Sequence, residues 1–167
     1  ELTDSLIYLS RMEEPEKRQA KAEFCLSDAI EETAGSFQAL AATQNKTFEM
    51  EIAPLLSFYG DEASIRQLIS ILLDNALKYS PEHGRITVSL QKKGKNLLFF
   101  VCNESEPISK EHLSRLFERF YRADASRNSE TGGYGIGLSI AKAIVTAHKG
   151  KICAGSEGHS FQISITF

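Results

Sequence analysis

Between Gly132 and Leu138 four of the chain's eleven glycines fall within six positions, immediately ahead of an amphipathic stretch. Crowded glycines are entropically unfavourable unless the backbone must approach something closely. Free N–H groups and the positive end of a following helix are the chemistry of a phosphate site, the alternative for an isolated glycine-rich stretch being a flexible loop ahead of a helix start. The stretch lacks the Lys-Ser/Thr ending of a P-loop and follows a polar segment rather than a strand, so the dinucleotide fingerprint fails its context. Asn75 and Lys78 form the second group. At about 100° per residue, Ile71, Asn75 and Lys78 span a band of roughly 60° beside an apolar stripe. An amide carbonyl there suits a hard cation that keeps most of its waters, and Lys78 adds a point charge for phosphate. The third group is Leu116-Phe117-Glu118-Arg119-Phe120-Tyr121-Arg122. Its two Phe read as an aromatic anchor, and Arg119 and Arg122 are able to meet phosphate oxygens at the base of the polar stretch Ala123 to Gly132. That arrangement predicts a nucleotide lid, mobile without ligand.

These groups need elements to hold them. The apolar stripe Ile65, Leu68, Ile69, Leu72, Leu73, Ala76 predicts a helix over Asp61 to Tyr79, with Asp61 or Ser64 at its start. A helix is expected over Asp28 to Thr43, and a strand where Phe48, Met50 and Ile52 alternate. Arg85 to Gln91 alternates as a strand. Asn96 to Val101 is a continuous apolar run, which predicts a strand covered on both faces. Further helices are expected over Glu111 to Phe120 and Gly135 to His148, the latter stopped by Gly150, and Phe161 to Phe167 alternates as a closing strand. At the other end, Leu2, Leu6 and Leu9 make a narrow helical stripe that stops at Pro15. A charged linker follows, which puts a domain boundary near residue 22.

Composition limits the possibilities. With 167 residues, 42% hydrophobic and 25% charged, the chain suits one core, and a net charge of −3 offers nucleic acid or an anionic membrane no overall basic field. Cys25, Cys102 and Cys153 stand singly, against a disulfide framework or zinc site, and read as small core residues in a reducing compartment. No run approaches the roughly 18 apolar residues of a membrane span. The absence of an initial Met and the mid-pattern start suggest a fragment of a longer chain.

Leu72 to Ser80, Leu116 to Arg122 and Gly133 to Lys142 resemble, in order and spacing, the N box, the F box and the second glycine box of sensor histidine kinases. The resemblance covers about residues 23–167 and implies the Bergerat fold shared with gyrase, Hsp90 and the mismatch-repair ATPases. That is an α/β (α+β) two-layer sandwich, a mixed sheet of about five strands against three helices. The stub 1–22 is similar to the tail of a dimerisation helix and its linker. The activity implied is that of an ATP-dependent protein-histidine kinase domain, which passes the γ-phosphate of Mg·ATP to a histidine on a separate domain for relay to a response regulator. The implied cofactors are ATP and Mg²⁺, and the implied partners are the chain's own dimerisation domain, a response regulator and a second copy in the full-length protein. Neither nucleic acid nor direct membrane contact of this fragment is expected, and the setting implied is the cytoplasmic side of a membrane-bound bacterial sensor.

Carried onto this sequence, Asn75 matches the metal ligand, Lys78 a phosphate contact and Tyr79 part of the adenine wall. Gly133, Gly135 and Gly137 match the phosphate turns. Phe117, Phe120 and Arg122 match the F box, and Ile108, Ile136 and Leu138 complete the implied nucleotide contacts. The family's Asp-x-Gly-x-Gly is here Asn103-Glu104-Ser105-Glu106-Pro107. Asn103 keeps an acceptor for the adenine amino group but adds a donor, so an amide free to turn either way would blunt discrimination against guanine. Ile71 replaces the first polar residue of the N box, which argues against gyrase-like hydrolysis. None of His83, His112, His148 and His159 stands in the family's phosphoacceptor pattern, and His148 sits where the family often keeps a structural histidine. The competing expectation is a degenerate nucleotide-binding or regulatory module with little kinase activity.

Overall fold

The structure is a computed structural model that describes residues 21–121 and 135–167. The expected stripe through Leu2, Leu6 and Leu9 lies outside the described residues, as do Arg122, Gly133 and the stretch Ala123 to Gly132. In chain order the elements are β1 (Ala22–Cys25), α1 (Leu26–Thr43), β2 (Thr47–Ile52), β3 (Ser57–Gly60), α2 (Glu62–Tyr79), β4 (Arg85–Lys93), β5 (Asn96–Glu104), α3 (Lys110–Arg115), α4 (Gly137–Ala147), β6 (Lys151–Glu157) and β7 (Ser160–Thr166). Five strands form one mixed sheet in the order β2-β4-β5-β7-β6, and β1 pairs with β3 in a separate two-stranded sheet. Only the β2–β4 pair of the large sheet is parallel.

α2 forms because its apolar residues recur on one side. Ile65, Leu68, Ile69, Leu72, Leu73 and Ala76 are all buried, and Asp61 caps the start by accepting from the N–H groups of Ala63 at 3.1 Å and Ser64 at 3.3 Å. Glu62 in the first turn and Lys78 in the last complement the helix dipole. The same face meets the inner residues of the sheet, among them Ile86, Val88, Phe99, Val101 and Ile163, in one buried cluster with Ile30, Ile140 and Ile144 of α1 and α4. Burial of each such side chain contributes about 1.5–3 kcal/mol.

Several sequence expectations need correction. Among the described residues β5 is covered on one face only: Leu97, Phe99, Val101 and Asn103 are buried, while Leu98, Phe100 and Cys102 on the other face are half-exposed. The continuous apolar run reflects a tolerant outer face. Cys25 and Cys102 are half-buried, and Cys153 is exposed because it lies on the outward face of the edge strand β6. The helix expected over Glu111 to Phe120 ends at Arg115. α4 stops by placing Lys149, not Gly150, in the left-handed region, with φ of 60°. Gly150 serves packing instead, since a Cβ there would lie 2.8 Å from Phe167 and 2.9 Å from the Thr166 carbonyl. β1, β3 and β6 had no clear sequence signal.

Candidate functional site

The glycine-lined start of α4 comes against α2. A Cβ on Gly137 would lie 3.4 Å from Ile71 Cγ2, one turn before Asn75 on the same helix face. Among the described residues no side chain caps the first turn of α4, which leaves its N–H groups able to meet an anion. Gly135 has φ of 68°, and a Cβ there would sit 2.8 Å from the Tyr121 carbonyl oxygen and 3.0 Å from Phe120 C. Only glycine fits that close approach of backbone to backbone. Ile136 behind it is buried and Leu138 half-buried.

Asn75 is half-buried, and its amide makes no hydrogen bond among the described residues. Lys78 is exposed and paired at 2.7 Å with Asp74 Oδ2, four residues back. Such exposed pairs contribute only about 0.3–0.5 kcal/mol, so the lysine can share itself with a ligand. Tyr79 is 60% exposed. Among the described residues no group of three or more His, Cys, Asp or Glu converges as a metal site. A cation here would therefore rely on the Asn75 carbonyl, water and the ligand's own oxygens.

Asn103 ends the inner face of β5, 3% exposed, in register with Ile86 and Phe161 on the neighbouring strands. Its Nδ2 donates to the Glu104 carbonyl at 2.9 Å. The expected freedom of the amide to turn either way is not met, because the reverse orientation would set Oδ1 against that carbonyl. What Asn103 presents is the acceptor Oδ1. Nearby, Ile108 is half-buried and its N–H donates to Ser156 Oγ at 3.1 Å.

The aromatic anchor differs from expectation. Phe117 is half-buried, but Phe120 is 63% exposed with φ of 63°, and its N–H donates to the Gly135 carbonyl at 3.0 Å. Tyr121 does the anchoring: its hydroxyl meets His112 Nδ1, and Arg115 stacks 4.3 Å above its ring. Phe117 and Arg119 also line a groove of about 470 Å³ with Ser139, Lys142, Ala143, Thr146 and Ala147.

His148 is a second residue whose full role the sequence left open. Its Nδ1 donates to the Ile144 carbonyl at 2.8 Å and its Nε2 accepts from the Asp61 N–H at 3.0 Å, joining the end of α4 to the cap of α2. These bonds define the neutral Nδ1–H tautomer. Asp61 and His148 both appear in the sequence, but the bond from the Asp61 backbone N–H to the ring spans 87 positions and no local pattern announces it.

Residues 60–167 match the family described as histidine kinase-, DNA gyrase B-, and HSP90-like ATPase. The chain belongs to this family. Its relatives in the family include the probable sensor kinase SilS of Salmonella typhimurium, 48% identical over 101 residues that make up 60% of this chain and 20% of that protein. The sensor protein CiaH of Streptococcus pneumoniae is 33% identical over 98% of this chain and 37% of its own length. This chain thus spans only a fraction of the curated relatives it matches. Its fold is that of the catalytic domain of histidine kinase ThkA, with a TM-score of 0.79 and 23% identity over 89% of this chain and 95% of that one. As a domain of this ATPase family it uses ATP. No described helix is long and apolar enough to cross a membrane.

Proposed function

We propose that this chain is the catalytic, ATP-binding domain of a two-component sensor histidine kinase. The observation that carries the reading is the meeting of the uncapped, glycine-lined start of α4 with the face of α2 that bears the unpartnered Asn75. In this reading the first-turn N–H groups of α4 hold phosphate oxygens. Asn75 ligates Mg²⁺, Lys78 leaves Asp74 to neutralise charge, and Asn103 Oδ1 accepts from the adenine amino group. Tyr79, Ile108, Phe117, Phe120, Ile136 and Leu138 supply apolar and backbone contacts, with Arg122 and the phosphate turns Gly133, Gly135 and Gly137.

The reaction is phosphoryl transfer. An imidazole nitrogen of a histidine on a separate dimerisation domain attacks the γ-phosphorus, and the bond to the bridging oxygen breaks to leave ADP. The domain acts by positioning and charge neutralisation. Mg²⁺, when bound, neutralises the β- and γ-oxygens. Relay to a response regulator, pairing of two copies and a cytoplasmic place in a membrane-bound sensor belong to the same proposal, with residues 1–22 as the tail of the dimerisation helix and 23–167 as the kinase domain.

Asn75→Ala is the direct test. Calorimetry should find Mg·ATP affinity reduced about tenfold, the ~1.4 kcal/mol of one polar contact, and little change in EDTA. An equal loss without magnesium would assign Asn75 to the nucleotide or to the fold. A second result is expected with labelled ATP alone: the chain stays unlabelled, because His112 and His148 are engaged and no histidine stands on an acceptor helix. Acid-labile label on this chain would show that the acceptor lies within it.

A further inference from the structure

Lys46 stands outside every stretch so far linked to nucleotide. It lies between α1 and β2, half-buried, and its backbone is fixed on both sides. Its N–H donates to the Ala41 carbonyl at 3.0 Å, Asn45 before it turns through φ of 55°, and the Thr47 N–H after it donates to the Gly84 carbonyl at 3.0 Å. From that anchorage the side chain crosses to the end of α2, where Nζ donates to the Leu77 carbonyl and, at 3.0 Å, to the Ser80 carbonyl.

The end of α2 needs such a group. A helix leaves its last carbonyls without intrahelical donors, and Pro81 has no N–H to offer them. Ser80 is buried, closes its own N–H on the Ala76 carbonyl at 3.0 Å, and reaches the Leu77 carbonyl with Oγ at 3.4 Å. The ammonium adds two bonds and places a positive charge at the negative end of the helix dipole. Burial lowers the Lys46 pKa from its ordinary value, and the two carbonyls are the acceptors that meet its Nζ.

We propose that Lys46 is a positioning residue of the nucleotide site: by holding the Leu77 and Ser80 carbonyls it fixes the last turn of α2, from which Asn75, Lys78 and Tyr79 project. This rests on the reading that α2 carries nucleotide contacts. Lys46 contributes nothing to ligand contact itself and acts through the backbone of the residues that do.

The test compares Lys46→Met, which keeps the stem and removes the donors, with Lys46→Arg, which restores them. Binding of Mg·ATP is measured by competition against a fluorescent ATP analogue at 10 °C, alongside thermal denaturation. Lys46→Met should weaken binding about tenfold, and Lys46→Arg should return it to within about threefold of native. Combined with Asn75→Ala, the loss should be less than the product of the two single losses, because a displaced Asn75 has little left to lose. If Lys46→Met fails to fold, Lys46→Leu, which likewise has no donor, takes its place with the same expectation. Native affinity in Lys46→Met beside a lowered melting temperature overturns the proposal, as does a fully multiplicative loss in the double variant. Failure of the underlying reading is distinguishable, since it appears as native affinity in Asn75→Ala.

Discussion

Asn103→Asp is expected to bind ATP about 10- to 100-fold more weakly than the native chain, without any gain in preference for ATP over GTP. The native amide donates to the Glu104 carbonyl at 2.9 Å and is 3% exposed. A carboxylate has no donor, so one of its oxygens would face that carbonyl in a buried place. Leaving such a buried group unsatisfied costs about 1–3 kcal/mol, and more when charged. The side chain must take up a proton or move, and either change withdraws the acceptor from its place. The native chain, with its NH₂ already engaged, should itself prefer ATP over GTP by about 10-fold or more. Competition of ATP and GTP against a fluorescent analogue, for both proteins, measures this. A variant that binds ATP more tightly, or a native chain indifferent to the base, would show that Oδ1 does not meet the nucleotide.

Gly135→Ala should lower nucleotide affinity about 100-fold, equivalent to ~2.7 kcal/mol. A left-handed conformation costs an L-residue about 1–2 kcal/mol, and the new Cβ would meet the Tyr121 oxygen at 2.8 Å. Both colliding groups are backbone, so no side chain can swing aside. Relief requires the Phe120–Gly135 hydrogen bond to open and the start of α4 to shift away from Ile71 and Asn75. Because Gly135 lies outside the core cluster, the melting temperature should fall by only a few degrees, about what 1 kcal/mol produces in a domain of this size. Calorimetric titration and thermal denaturation of the same variant separate the two effects. Native affinity in a folded Gly135→Ala protein would remove this turn from the site.

The sequence was most legible where a periodic stripe runs long. α2 announces itself over some five turns, and its capping Asp61 is a residue type that favours that place. The glycine cluster is legible for a related reason, since glycines in such density have few other uses. What stayed hidden depends on distant partners. β1 and β3 are four residues each, and Phe24 of β1 packs edge-on against Phe58 of β3, which packs in turn on His148 and Phe167. The Tyr121–His112–Arg115 anchor and the Lys46 bridge are likewise contacts between segments whose local patterns are ordinary. The misreading of Phe120 has the same origin: spacing places two Phe on one helical face, but the helix stops at Arg115 and the next residues turn outward.

The strand order β2-β4-β5-β7-β6 has a consequence for how the domain is assembled in time. β7 lies between β5 and β6 and pairs with both along its length, although it is synthesised after them. Until Phe161, Ile163 and Ile165 arrive, β6 has no described strand to pair with and β5 is paired on the β4 side alone. A nascent chain halted before residue 160 should therefore hold α1, α2 and the β4–β5 hairpin in an open, protease-sensitive state. Protection should appear in one step once β7 clears the ribosome, so that the domain closes from its last strand inward rather than growing element by element.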